Sequence, residues 1–172
     1  MITKSHLLKN LNELDKLYNG ATNKENDKQA IYYSKLALLE LCGWIEESMD
    51  DIIMQYANSK LKDTNNKKYV EKKIIRPNHV FLYNEDKGFR EMLVKTIGII
   101  QLEKLEIKLE KQGIVTKLKS ALEKIIEQRN EVAHTFLKGV TRTYDAPSVT
   151  RENFLEIYEL LKLFEIEIKQ LK

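Results

Sequence analysis

Three residues in the stretch EQRNEVAHTF (127–136) bring chemically capable side chains close together: Arg129, Asn130 and His134. A guanidinium is a permanent cation with a fixed fork of donors, and an imidazole is the side chain whose ordinary pKa puts its charge change near neutral pH. The chemistry open to such a group is proton transfer beside a held charge. The alternative is an ordinary helix end with an incidental histidine. Spacing alone is a weak signal. With five arginines and three histidines in 172 residues, an Arg separated from a His by four residues arises by composition about one time in ten.

Helical geometry makes the group stand out more. At about 100° per residue, Asn130 and His134 lie one turn apart on the same face. The apolar stripe of the same segment runs through Leu118, Leu122, Ile125, Val132 and Phe136. Arg129 falls in the middle of that stripe, and His134 lies about 140° away from it. Either the helix distorts here or a cation is aimed into the core, where it is costly unless paired and becomes a functional candidate. The competing reading is an arginine that reaches to the rim and a histidine that closes a helix end. Periodicity leaves both open.

The elements that must position these residues are helical. Hydrophobic residues make up 42% of the chain and charged residues 32%, with only two prolines and six glycines. Leu, Ile, Lys and Glu dominate, and all are compatible with helix. The length suits one compact domain, residues 1–172. Leu7, Leu8, Leu11, Leu14 and Leu17 mark a helix over 5–19, with Ser5 or Thr3 as cap and Gly20 as stop. A long helix follows at about 27–61, its face drawn from Tyr33, Leu36, Leu39, Ile45, Met49, Ile52, Ile53 and Tyr56. Its middle, KLALLELCGW, is apolar nearly all round, as expected of the central helix of a bundle.

Residues 62–80, KDTNNKKYVEKKIIRPNHV, read as a basic connection with room for a short turn of helix. Lys60, Lys62, Lys67, Lys68, Lys72, Lys73 and Arg76 face only Asp63 and Glu71 there. A solvated surface is the plain reading, and a phosphate-binding surface the alternative. A helix starting near 86 carries Phe89, Met92, Leu93, Val94 and Ile97, and QLEKLEIKLEKQG either continues it or forms a separate helical stretch. The motif helix spans about 115–137. A loop marked by Gly139 and Pro147 leads to a last helix at 151–171, with Thr150 as cap and Phe154, Ile157, Tyr158, Leu161, Phe164 and Ile168 facing inward. The expected fold is an all-α antiparallel bundle of about five helices.

Several classes of chemistry find no support in the pattern. No Gly-rich phosphate loop and no His-Glu-x-x-His occurs. One cysteine and three scattered histidines do not make a four-ligand zinc site, and no cofactor is expected. His6 and His79 read as surface residues. Cys42, in apolar surroundings, reads as a buried free thiol of a reducing compartment. With no apolar leader and no run of about 18 apolar residues, the expectation is a cytoplasmic protein without a membrane partner. The net charge of +3 permits a nucleic-acid partner only if it is clustered.

At this point the sequence resembles a known family. RNEVAH (129–134) matches the Arg-polar-x3-His form of the R-x4-6-H motif of HEPN domains. The order of elements is similar too: a long helix, KQAIYYSKLALLELCGWIEESMDDII, precedes the motif, and RENFLEIYELLKLFEIEI follows it. The resemblance covers about 25–170. It is nearest to stand-alone domains related to RiboL-PSP-HEPN and abortive-infection proteins. It implies a metal-independent endoribonuclease acting on single-stranded RNA as a homodimer, its composite site built from two facing motifs, in a toxin–antitoxin or phage-defence setting. His134 would then transfer protons at the ribose 2′-OH and the leaving 5′-oxygen. Arg129 would stabilise the transition-state charge, and Asn130 would orient His134 or bind phosphate.

Lys138, Arg142 and Arg151 flank the motif and could hold RNA phosphates, although solvated cations are as good a reading for each. HEPN toxins regulated by nucleotidyltransferase antitoxins often carry Tyr two residues after the His. Here that position is Phe136, which cannot accept a nucleotide, and Tyr144 lies near in the chain. A cognate antitoxin or other partner protein fits such a context. The alternative function is a non-catalytic HEPN module that binds a nucleotide or a partner protein.

Overall fold

The computed structural model describes residues 1–78, 80–84, 86–134 and 144–171, with the backbone alone at 133 and 134. Among them are seven α-helices: α1 (Ser5–Thr22), α2 (Asp27–Lys60), α3 (Thr64–Tyr69), α4 (Phe89–Ile97), α5 (Ile99–Glu110), α6 (Ile114–His134) and α7 (Pro147–Lys169). No strand occurs among the described residues; Tyr83 and Gly88 form one isolated antiparallel bridge. The fold is all-α, as the composition requires.

The 34 residues of α2 make a rod about 51 Å long. Asn26 caps it by accepting from the Gln29 N–H. Leu41, Ile45, Met49, Ile52 and Ile53 are almost completely buried, and α1, α4, α6 and α7 all pack against this one helix. The central position expected for it is therefore observed. Its face is narrower than the periodicity suggests, because Leu36 and Leu39 are 45% and 44% exposed. Around it the buried side chains form one contiguous cluster drawn from every α-helix except α3.

Two extra helices separate the observed count from the expected five. The first comes from within 62–80, where helical turns run from Thr64 to Asn78 and exceed the short turn expected of a connection. Asp63 starts α3 by accepting from the N–H groups of Asn65 and Asn66 at 2.7 and 3.1 Å. The next turn widens into a π-helical turn, Val70–Ile75, and closes as a 3₁₀ turn, Arg76–Asn78. Val70, Ile74 and Ile75 are buried, on a turn that packs against α2 and α4. A lysine-rich surface hides this short apolar face from a composition-based reading.

The second comes from Gly98. The apolar run TIGII continues across it, but its φ of 81° lies where only glycine sits without strain. Its N–H donates to the Val94 carbonyl and its carbonyl accepts from Leu102, so one residue ends α4 and begins α5. Smaller boundary differences have local causes. Lys4, not Ser5 or Thr3, occupies the cap position of α1, and the helix runs through Gly20 to Thr22. Pro147 takes the first position of α7, where a missing N–H costs nothing, so Thr150 lies buried inside the helix instead of capping it.

Far from the motif, Tyr83, Phe89 and Phe164 pack as a triad, with Phe164 5.6 Å from Tyr83 and 5.7 Å from Phe89 between ring centres. Phe164→Ala is expected to lower unfolding free energy by about 3–5 kcal/mol, read from urea midpoints by circular dichroism. Ile100→Ala, at a position 67% exposed, is expected to stay within about 0.5 kcal/mol.

Candidate functional site

The motif occupies the last turns of α6, the helix spanning Ile114–His134. Leu118, Leu122, Ile125 and Val132 are buried along its stripe. Arg129, in the middle of that stripe, is exposed, and so is Asn130. The question left open by periodicity is thus answered for the single chain: the guanidinium reaches the surface at the rim of the bundle and is not enclosed. The apolar cover of α6 stops at Arg129 on one flank and resumes at Val132 on the other.

Arg129 and Asn130 meet directly. The Arg129 Nη1 group donates to Asn130 Oδ1 at 3.3 Å, which restrains the fork beside the helix. Asn130 and His134 are four residues apart in continuous helix, so their backbone positions lie one turn apart along one flank. The side chain of His134 lies outside the described residues. So do Lys138, Arg142 and Phe136. Arg151 is half-buried and donates to Asn12 Oδ1 at 2.8 Å, a tie between α7 and α1.

The helix end is held from α2. The last four carbonyls of an α-helix lack intrahelical partners and carry the negative end of the helix dipole. Lys35 Nζ donates to one of them, that of Val132, at 3.4 Å, and also lies 5.2 Å from the ring centre of Tyr144. Gln128 Nε2 donates to Asp145 Oδ2 at 2.8 Å, fixing the chain that re-enters before α7. The two residues that anchor the motif, Lys35 and Asp145, carry no sequence signal, because one acts across 97 positions and the other sits in an irregular stretch.

Behind the motif, on the other flank of α6, lies a polar cavity of about 90 Å³ lined by Ser34, Gln128, Val132, Tyr144 and Thr150 among others. The hydroxyls of Ser34 and Tyr144 are buried there without a partner among the described residues. A Tyr144 hydroxyl so enclosed is poorly placed to substitute for Phe136 as a nucleotide acceptor. Among the described residues no group of three His, Cys, Asp or Glu side chains is placed to hold a metal ion, and no helix is long and apolar enough to cross a membrane. His6 is exposed, as expected.

Cys42 lies in α2 within electrostatic reach of the motif. Burial pushes its thiol up to about 12, the Glu46 carboxylate adds to the shift, and the Arg129 guanidinium opposes it. The thiol is therefore neutral throughout the physiological range, and its reactivity as thiolate is suppressed. Because the folded pKa is raised, its contribution to stability is complete below the ordinary thiol range and declines as pH rises toward 12. Reaction of native protein with an aromatic disulfide reagent at pH 8 is expected to be at least about tenfold slower than in urea, measured by thiol release.

A family model described as RiboL-PSP-HEPN matches residues 5–171. No curated protein and no solved structure matches the chain.

Proposed function

The chain belongs to the RiboL-PSP-HEPN family, and from that premise we propose that it is a metal-independent endoribonuclease of single-stranded RNA, active as a homodimer. Family membership supports an RNase or a nucleotide-binding module. The observation that carries the choice of RNase is the exposed Arg129, bonded to Asn130 and about one turn from His134, on a stripe whose other described residues, Leu118, Leu122, Ile125 and Val132, are buried. A binding module has no need for both a guanidinium and an imidazole at one helix end. A site for phosphoryl transfer to the 2′-oxygen uses both, and one copy supplies only half of the proton-transfer groups.

The second half comes from a second copy. A two-fold axis beside the end of α6 sets the same flank of both chains face to face, with no further sequence requirement. His134 takes the proton from the ribose 2′-OH, and the 2′-oxygen attacks phosphorus. The bond from phosphorus to the 5′-oxygen breaks, and the partner's His134 gives that oxygen its proton. The products are a 2′,3′-cyclic phosphate and a 5′-hydroxyl, and the histidines exchange roles before the next turnover. The guanidinium of Arg129 neutralises the negative charge gathered on the equatorial oxygens. Asn130 holds that guanidinium in place. DNA, which lacks the 2′-OH, is not cut. A toxin or phage-defence role, in the cytoplasm and under the control of a cognate antitoxin or partner protein, fits this chemistry.

Cleavage of single-stranded RNA in excess EDTA tests the proposal. Wild type is expected to cut, and Arg129→Ala and His134→Ala are each expected to lose at least about 100-fold in rate while unfolding like wild type. Wild type that leaves RNA intact, or variants that cut equally well, overturn the proposal in favour of a binding module.

A further inference from the structure

The chain carries its positive charge in one place. Between Lys60 and Arg76 there are seven cations against Asp63 and Glu71, a local excess of five in a chain of net +3, so all other residues together are net negative. Both carboxylates are already engaged. Asp63 caps α3, and Glu71 pairs with Arg76 at 3.0 Å. Lys62, Lys68, Lys72 and Lys73 are exposed and have no ion pair among the described residues. A cluster of this kind repels itself and is relieved by a polyanion.

A groove of about 310 Å³ lies between the end of α2, α3 with its π-helical turn, and α4; Lys60 and Lys95 line it, and Lys62, Lys68 and Lys73 adjoin its lining residues Leu61, Tyr69 and Ile74 in the chain. Its floor is apolar, with Val70 and Ile74 below and Tyr56 and Tyr69 at the walls. Tyr69 is 61% exposed, a large aromatic face left to solvent. Lys73 follows it by four residues, close to one turn at the wider π-helical pitch, so it rises from the same side of the ridge, with Lys72 beside it in the chain. π-helical turns are rare and concentrate at functional sites; this one sets the spacing between Tyr69 and the two lysines.

We propose that this groove is a docking site for single-stranded RNA, with a base against Tyr69 and the backbone phosphates along Lys62, Lys68, Lys72 and Lys73. Aromatic faces interleaved with a basic track are what sequence-tolerant single-strand binding requires. A groove of this volume accepts one base, not a duplex. The site is separate from the motif: the turn of α2 at Ala57 stands about 33 Å along the helix axis from Lys35, which bonds the motif helix at Val132. It rests on the proposed RNA substrate, but binding here does not require cleavage.

Fluorescence anisotropy with a 2′-O-methyl oligouridylate, which cannot be cut, measures docking apart from catalysis. Wild type is expected to bind with an affinity that falls as salt rises. Tyr69→Ala is expected to weaken binding about tenfold. Lys72→Gln with Lys73→Gln is expected to weaken it further and to lower the slope of log affinity against log salt by about 1.4. Ile100→Ala, outside both sites, is expected to retain the affinity. Unchanged binding in the Tyr69 and lysine variants overturns the docking site. So does binding of poly-glutamate as tight as that of the oligonucleotide, which would mark the ridge as a general polyanion surface. A nuclease-inactive wild type that still binds RNA through Tyr69 would sink the cleavage proposal and leave this one standing.

Discussion

Burial of α2 is the constraint on which the rest of the structure depends. A helix apolar around most of its middle cannot stand in water, and each neighbouring element is placed by the stretch of α2 that it covers. α1 and α7 take long strips, α6 takes a shorter one, and α4 with the π-helical turn closes the far end. The aromatic contacts follow the same logic, since Trp44 of α2 meets Phe154 of α7 edge-on at 4.8 Å between ring centres. Interior packing of this kind tolerates little displacement. It makes a rigid scaffold of the one helix that also carries Lys35, Cys42 and the wall of the basic groove.

That scaffold explains how a charged motif can sit on an apolar stripe at modest cost. The cover of α6 ends before Arg129, so its guanidinium keeps its water. The helix end is instead steadied by Lys35 at the Val132 carbonyl and by Gln128 at Asp145. Both anchors lie on the flank away from Asn130 and the His134 backbone. Exposure of the motif and fixation of the helix are thus handled by opposite sides of α6. Such an arrangement leaves one flank free to meet another molecule without loosening the fold.

The helices were legible where periodicity and core burial agree. Leu11, Ile45, Ile52 and Phe154 all fall on the predicted faces because long amphipathic helices leave repeated signals. Shorter signals were hidden. The apolar positions 70, 74 and 75 are too few to show through their lysines, and the break at Gly98 is a backbone effect inside a continuous apolar run. For the site, the hexapeptide 129–134 could be found from residue types and spacing. Whether Arg129 points in or out could not, because that depends on where neighbouring helices stop. Lys35 and Asp145 act through contacts distant in sequence, which a linear pattern does not contain. The charge excess of 60–76 was visible from the start, but only its folding into a ridge beside Tyr69 made it more than a solvated connection.

The central claim is that one copy of the motif is half of a site. The most direct measurement is the rate of RNA cleavage per chain across a protein dilution series, with molecular mass followed in parallel by sedimentation. The account predicts that activity per chain rises with the fraction of dimer and vanishes where the protein is monomeric. Constant activity per chain in a range where the mass is that of a single chain would contradict it.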